Sequence, residues 1–272
     1  MQDIVIEAGK AERQYWHDVW VYRELFYFLA WRDLLVRYKQ TVVGVAWSFL
    51  RPFLTMAVLT LVFGKFGKMS SAGVAYPLLV FAGMLPWQFV SSALSESGNS
   101  LVNNTNLISK VYFPRLVIPA SSVITSLADF LISAAFLVIL MIWYRFVPPT
   151  NILFLPIFIL FALATSFGAG VWTAALMVKY RDFRFIVPFA VQFGLYISPV
   201  GFVSSVVPDQ WRLLYSLNPI VGVIDGFRWC ILGGQNTFYW PGFILSFSVA
   251  MILMFGGLAY FRSTEREFAD LI

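Results

Sequence analysis

Apolar residues run along this chain in long stretches that short polar segments separate. A helix that crosses a membrane needs about 20 mostly apolar residues. The pattern predicts six spans, at about 43–65, 76–98, 117–145, 152–178, 185–203 and 242–261. The sequence therefore predicts an all-α integral membrane protein in which residues 1–272 form a single transmembrane domain of six transmembrane helices.

A different pattern precedes the first span, over residues 16–39. Apolar and aromatic residues recur there at steps of three and four, on one helical face: Val21, Leu25, Phe28, Trp31, Leu35 and Tyr38. Arg23, Asp33 and Arg37 fall largely away from that face. The pattern predicts an N-terminal amphipathic interfacial helix with its aromatic face among the lipid headgroups. Two roles stay open for it, a plain anchor or a lever that contacts a cytoplasmic partner.

Residues 204–241 are too apolar for a solvated loop and too interrupted for a span. Asn218-Pro219 is a typical helix start, and Gly233-Gly234 is a typical helix end. The pattern predicts two short helices, at about 208–217 and 219–232. Short apolar runs of this kind are typical of re-entrant or interfacial segments. We therefore expect an outer re-entrant helical hairpin between spans 5 and 6.

Composition excludes a soluble enzyme. Of the residues, 60% are hydrophobic and 12% are charged, and the mean hydropathy is +0.77, whereas soluble domains carry about 25% charged residues. Cys230 has no second cysteine to pair with, and His17 alone cannot build a zinc or haem site of the usual kind. There is no Gly-rich loop followed by Lys-Ser/Thr, so the chain is not expected to bind ATP in that way. The scattered carboxylates predict no metal site, and we expect neither an enzyme nor a resident cofactor.

Positive charge decides the predicted orientation. The net charge is +5, and 13 of the 19 Lys and Arg residues fall on the side that holds both termini. Such a bias marks the cytoplasmic side, so both termini are predicted to be cytoplasmic. Topology thereby accounts for the basic balance, and no nucleic-acid partner is expected.

Three charged residues are predicted at membrane depth. Arg51 lies about 12 Å along the first helix, where it either snorkels to the interface or faces an internal pathway and meets an anionic group. Glu96 lies near the end of the second span, and Asp129 lies near the middle of the third. Intramembrane carboxylates are usually packed inward and paired, so a structural pair is favoured over a proton relay.

The cytoplasmic loop 99–116 keeps apolar residues in a polar setting. Leu107, Val111 and Tyr112 fit one face of a two-turn helix, beside the basic Lys110 and Arg115. Exposed apolar residues in such a loop favour a docking surface for another protein. A simple connector is the alternative.

Motifs along the whole chain resemble the membrane (permease) subunits of type-2 ABC exporters, specifically those for polysaccharides such as O-antigen, capsule and teichoic acid. They occur in the family's order: Arg37-Tyr38-Lys39 with Gly44, Trp47 and Pro52; Tyr112-Phe113-Pro114-Arg115; Lys179-Tyr180-Arg181-Asp182; Ser198-Pro199; Leu217-Asn218-Pro219; and Phe261, Arg262, Glu265, Phe268, Ala269 and Asp270. Each motif alone is weak, and their order and spacing together are specific.

The resemblance implies a homodimer in the bacterial cytoplasmic (inner) membrane, with two copies of a separate ATPase subunit that binds ATP and Mg. It implies that the amphipathic segment and loop 99–116 transmit the motion of the ATPase. The loop residues expected at the ATPase contact are Leu107, Lys110, Val111, Tyr112, Phe113 and Arg115. It also implies that a lipid-linked glycan moves outward through a channel at the dimer axis.

Aromatic residues make up 18% of the chain, and sugar rings stack on aromatic faces. Candidates for lining the pathway are Trp47, Arg51, Phe53, Trp87, Phe89, Tyr196 and Phe202. A lipid belt or core packing is the alternative for each aromatic residue. A lipid diphosphate would seek cations near the inner interface, and the candidates for that contact are Arg37, Lys39 and Arg51.

Other functions stay open at this point. A type-2 ABC permease for a drug or lipid shares the fold and differs in substrate. An ion-coupled carrier would need Glu96 or Asp129 as its ion site. A membrane-embedded glycosyl- or phosphotransferase would need a clustered acid or metal site, which the sequence does not contain.

Overall fold

The computed structural model describes residues 11–39, 44–71, 73–233 and 238–268, and within these ranges every regular element is a helix. The α-helices, in chain order, are α1 (Ala11–Val21), α2 (Arg23–Lys39), α3 (Gly44–Leu59), α4 (Tyr76–Asn103), α5 (Thr105–Lys110), α6 (Val117–Trp143), α7 (Leu155–Lys179), α8 (Phe183–Ile197), α9 (Asp209–Tyr215), α10 (Pro219–Leu232) and α11 (Trp240–Thr264). A π-helix, Thr60–Phe66, extends α3. Short 3-10 helices cover Thr150–Phe154, Ser204–Val206 and Glu265–Glu267.

Within the described residues, five helical segments are long and apolar enough to cross a membrane. They are Phe49–Phe66, Tyr76–Asn103, Val117–Trp143, Thr150–Lys179 and Trp240–Glu267. Each overlaps one of the predicted spans, which confirms an all-helical integral membrane protein.

The fifth predicted span, 185–203, contains the shorter helix α8 of 15 residues. Its length is about 22 Å at 1.5 Å per residue, less than the roughly 30 Å of a bilayer core. The sequence placed the end of this span at 203, whereas α8 ends at Ile197. Ser198 is extended because it precedes Pro199, and a residue before proline disfavours the helical conformation. A sixth crossing stays a prediction.

Helix α4 is the centre of the bundle. It packs against α6, α7 and α10, and its surface is mostly buried, unlike that of the other long helices. Helix α7 packs closely on α11, where a Cβ on Gly168 would lie 2.5 Å from the backbone of Met254. Glycine is required at that position because the two helix backbones approach so closely.

The N-terminal segment forms two helices that meet at Tyr22. Helix α2 packs on α6 with Leu29 and Ala30 buried. Tyr27, Phe28 and Trp31 stay exposed on the other side. Helix α2 therefore has an exposed aromatic side, and an amphipathic helix at a membrane surface stays a prediction.

Two short helices occur where the sequence predicts the outer hairpin. The Asn218 side chain caps α10 by accepting a hydrogen bond from the Ile220 backbone N–H at 3.1 Å. Gly233 ends α10 with a positive φ of 61°, which suits glycine. Helix α10 packs on α4, α7 and α11 and is buried on most of its surface. Whether this hairpin dips into a membrane stays a prediction.

Many aromatic residues pack on one another where α7, α10 and α11 meet. Neighbouring rings have centroids 4.9 to 6.4 Å apart. The members of this aromatic cluster are Phe154, Phe158, Phe161, Trp229, Phe238, Trp240, Phe243 and Phe247. Part of the aromatic surplus is therefore explained by core packing.

Candidate functional site

A cavity of about 600 Å³ lies between α3, α4, α6 and α8. Its wall combines aromatic rings, hydroxyls, amides and a few charges. The side chains that give it this character are Arg51, Thr55, Trp87, Gln88, Phe89, Ser91, Ser92, Ser95, Glu96, Ser126, Asp129, Phe130, Ser133, Gln192 and Tyr196. It brings together several residues predicted for the site.

Helix α4 supplies the largest share of the polar wall. Gln88, Ser91, Ser92, Ser95 and Glu96 recur at steps that place them on one face of the helix. The opposite side of α4 packs into the core. This polar face was not predicted, although polar residues at helical spacing within an apolar span indicate one.

The predicted pathway aromatics divide into three groups. Trp87, Phe89 and Tyr196 line the cavity. Phe53 instead packs edge-on against Phe136, with ring centroids 6.2 Å apart. Phe202 lies beside Phe63 at the α10 end of the molecule. Residue 47 lies in α3, and the side chain of Trp47 lies outside the described set.

Both intramembrane acids pair with Arg37 at the α2 end of the cavity. Arg37 Nη2 donates to Glu96 Oε1 at 2.7 Å, and Arg37 Nη1 donates to Asp129 Oδ2. The Tyr38 hydroxyl donates to the other oxygen of Asp129. These contacts bind α2 to α4 and α6 in one charge cluster, so Arg37 is the partner that the two acids require.

The other two residues predicted to contact a lipid diphosphate, Arg51 and Lys39, have surroundings that differ from those of Arg37. Arg51 lines the cavity and is exposed, and its backbone carbonyl accepts a hydrogen bond from Thr55 at 3.0 Å. Lys39 is exposed at the end of α2. Arg37 already contacts two carboxylates. A diphosphate contact for Arg37, Lys39 and Arg51 stays a prediction.

Loop 99–116 is more helical than its sequence suggested. Helix α4 runs on to Asn103, and α5 ends at Lys110. The pattern that placed Val111 and Tyr112 on a helical face with Leu107 is therefore wrong, since Val111 has an extended backbone.

Three loop residues expected at an ATPase contact are exposed, namely Lys110, Val111 and Tyr112. Leu107 is half-buried. Phe113 is buried, with 4% of its surface accessible, in a small core with Leu29 and Phe268. Its packing gives it a structural role whatever else the loop contacts.

Arg115 joins this loop to the end of the chain. Its backbone N–H donates to Glu265 Oε1 at 2.7 Å, and its guanidinium donates to the Glu265 carbonyl. The Arg262 guanidinium lies 4.7 Å from the centroid of the Tyr15 ring in α1. Burial, and then the Glu265 carboxylate, raise the pKa of Tyr15, so its phenol stays protonated. The loop, α1 and the end of α11 therefore form one junction.

At the α10 end, Arg228 holds non-helical backbone together. It is buried and donates to three backbone carbonyls, those of Leu79 at 3.1 Å, Val200 at 2.7 Å and Phe202 at 2.6 Å. Irregular backbone at membrane depth needs such partners. This role could not be predicted from the sequence, because the acceptors are backbone groups of distant segments.

Comparison with known proteins decides the family. The family described as ABC-2 type transporter matches residues 24–232, which is most of the chain. This chain belongs to the ABC-2 type transporter family. In the order of the helices, the match runs from α2 through α10 and so includes every element that lines the cavity.

Relatives within the family align over almost their full length. The chain is 27% identical over 257 residues to the O-antigen export system permease protein RfbA of Myxococcus xanthus, covering 94% of this chain and 98% of that protein. It is 26% identical to RfbA of Klebsiella pneumoniae, over 89% of this chain and 92% of the relative. It is 23% identical to the polysialic acid transport protein KpsM of Escherichia coli, over 86% and 91%. The predicted resemblance to polysaccharide-export permeases is confirmed.

Among the described residues, no group of three or more His, Cys, Asp or Glu side chains is placed to hold a metal ion. The only histidine and cysteine are far apart in sequence, and Cys230 is buried in the core. The candidate functional site is therefore the cavity, together with the ion-pair cluster of Arg37, Glu96 and Asp129.

Proposed function

We propose that this chain is the transmembrane subunit of an ATP-driven exporter that moves a lipid-linked polysaccharide across the bacterial cytoplasmic membrane. The observation that carries the proposal is the cavity lined by hydroxyls, amides and aromatic rings in a member of this family. The near full-length similarity to permeases named for O-antigen export supports the choice of substrate.

The chemistry of the wall suits a sliding glycan. The exposed ring of Tyr196 offers a face to sugar rings, and the Ser and Gln side chains of α4 exchange hydrogen bonds with sugar hydroxyls. Each contact is weak, so a long glycan makes many interchangeable contacts along the wall and is not held at any one strong binding site. A drug or lipid permease would need a more apolar wall.

The ion-pair cluster lies where a lipid diphosphate would arrive from the cytoplasm. In this proposal Arg51 and Lys39 meet the phosphates first, since both side chains are exposed. Arg37 contributes through the cluster with Glu96 and Asp129. A guanidinium fork suits phosphate oxygens in bidentate geometry.

A second copy of this chain would complete the pathway. Arg51 and Gln192 line the cavity and are exposed in the single chain. Exposing such groups to lipid is costly, since a charge at membrane depth costs about 2.5–3.5 kcal/mol on insertion scales. Helix α8 is also poorly covered, because Val187 is its one buried residue. A homodimer closed over α3 and α8 would shield these groups and enclose the cavity.

A separate ATPase subunit would supply the energy, binding ATP and Mg itself. With both termini in the cytoplasm, Lys110, Val111 and Tyr112 face the same side as α1 and α2. The exposed loop residues give the ATPase a place to dock. Movement there reaches the cavity through the junction of Arg115 with Glu265 and through α4.

Mass spectrometry of the complex extracted from its native membrane tests the proposal. We expect a tagged chain to co-purify with a stoichiometric ATPase that has a phosphate-binding loop, and with a diphospholipid-linked sugar. An ATPase accompanied by a drug or a simple phospholipid would move the substrate to another class. A folded dimer without any ATPase would contradict ATP-driven export and direct attention to Glu96 and Asp129 as ion sites.

A further inference from the structure

The cavity wall is rich in neutral polar groups. Gln88, Ser91 and Ser95 on α4, Ser126 on α6 and Gln192 on α8 all line it. Hydroxyl and amide side chains both donate and accept hydrogen bonds, as sugar hydroxyls do. This wall therefore matches the hydrogen-bonding groups of a glycan without contributing any net charge.

The charged groups of the wall cancel. Among its described lining residues Arg51 is the one cation, and Glu96 and Asp129 are the two anions. Arg37, paired to both acids, brings the sum to zero, and Lys39, at the end of α2, is not among the residues that line the cavity. Residues 40–48, whose side chains lie outside the described set, contain no charged residue in the sequence. A second copy would double every charge and leave the sum at zero.

A polyanionic chain fits such a wall poorly. Each carboxylate that leaves water needs a cation or several hydrogen-bond donors in its place. Arg51 would have to serve every charged sugar that passes, while Glu96 and Asp129 repel each one. A chain of uncharged sugars meets neither problem, because its hydroxyls find partners along α4 and its rings can stack on the exposed Tyr196.

We propose that the glycan which passes through this cavity is an uncharged polymer and not a polyanion. The inference rests on the proposed export function and narrows its substrate class. Family membership leaves the charge open, because the similar proteins are named both for O-antigen export and for the transport of polysialic acid, which is anionic. The zero net charge of the cavity wall in this chain favours an uncharged glycan over an anionic one.

Transport by the purified complex with its ATPase, reconstituted in vesicles, tests this inference. Two probes share the same lipid diphosphate and differ in the attached oligosaccharide, one of neutral hexoses and one of hexuronic acids of equal length. Movement into the vesicle is read as ATP-dependent protection of the sugar from added glycosidase. We expect the neutral probe to move at least about tenfold faster, because the carboxylates of the acidic probe must leave water without enough cations to replace it.

A single added cation tests the physical reason. Gln192→Lys places a positive charge in the wall, at a position that is exposed in the single chain. We expect it to raise transport of the acidic probe several-fold. Gln210→Lys is the matched control, because Gln210 is exposed on α9 and does not line the cavity. It should leave both probes unchanged.

The outcomes separate the inference from the function beneath it. Equal transport of both probes by the unaltered complex, or no gain for the acidic probe with Gln192→Lys, would overturn the neutral-glycan inference and leave export standing. Transport of neither probe by a complex that hydrolyses ATP would overturn the proposed function, and the inference with it.

Discussion

At the scale of single residues, Arg228 does most to hold the irregular backbone after α8. One guanidinium serves three carbonyls, and no other cation contacts them within the described residues. Gly83 makes room for it, since a Cβ there would lie 2.6 Å from Arg228 Nη2. Arginine is suited to this role because its planar head carries five donors and keeps its charge when buried.

Gly83→Ala should therefore destabilise the protein. The new methyl group displaces the guanidinium and leaves buried carbonyls without a donor, at roughly 1–3 kcal/mol for each group. We expect a lower melting temperature in detergent and less folded protein in the membrane. Gly256→Ala is the control, because nothing lies within 4 Å of a Cβ at Gly256. Equal melting temperatures for the two variants would show that Arg228 does not need this space.

The Arg37 cluster allows a test by charge rescue. Arg37→Ala leaves the Glu96 and Asp129 carboxylates without their cation, and we expect it to lower stability by roughly 1–3 kcal/mol. Adding Glu96→Gln and Asp129→Asn removes the two unpaired charges and should restore part of the loss. Thermal melting of the single, double and triple variants measures this. If the triple variant melts below Arg37→Ala, the pairing is not the source of the loss.

At the scale of elements, sequence periodicity was informative for long helices and less so for their ends. The apolar stretches predicted five of the long helices, because a membrane helix needs a run of apolar residues. The end of α8 was missed by counting apolar residues past Ser198-Pro199. The polar face of α4 was not predicted, because Ser residues interrupt an apolar run only weakly and the whole segment therefore resembled an ordinary apolar span.

Site residues could be predicted where residue type alone indicates them, and could not be predicted where their role depends on packing between distant segments. Trp87, Phe89 and Tyr196 were named from residue type alone, and they line the cavity, whereas Phe53 and Phe202 pack elsewhere. Aromatic residues serve cores and lipid belts as readily as pathways, so type cannot separate them. Pairing of the two acids was expected, but identifying Arg37 as the partner required the packing of α2 on α6.

For the loop between α4 and α6, exposure predicts which residues reach the ATPase. A Cys at Val111 or Tyr112 should crosslink to the ATPase subunit, because these side chains are 50% and 68% exposed. A Cys at the buried Phe113 should not. The native Cys230 is buried and should not interfere. Crosslinking in membranes, read on gels, measures the difference. Absence of any crosslink from Val111 or Tyr112 would count against this loop as the contact.

At the scale of the whole molecule, the uncovered faces predict how two copies meet. Phe189 and Phe193 form an exposed ring pair on α8, with centroids 4.4 Å apart. If α8 lies at the dimer interface, a Cys at Phe193 should crosslink to its twin in the membrane. A Cys at Ile252, which is exposed on α11, is the control and should stay monomeric. Crosslinking from Ile252 alone would place the interface on the other side.

The central claim is that the cavity between α3, α4, α6 and α8 carries the glycan. The most direct measurement replaces Tyr196 with a photo-crosslinking amino acid in cells that make the glycan, with the same replacement at Phe255 on the exposed face of α11 as control. The adduct is detected with a glycan-specific lectin. We predict a glycan adduct at residue 196 that needs an active ATPase partner, and none at residue 255. Equal labelling at the two positions, or labelling at 255 alone, would contradict the account.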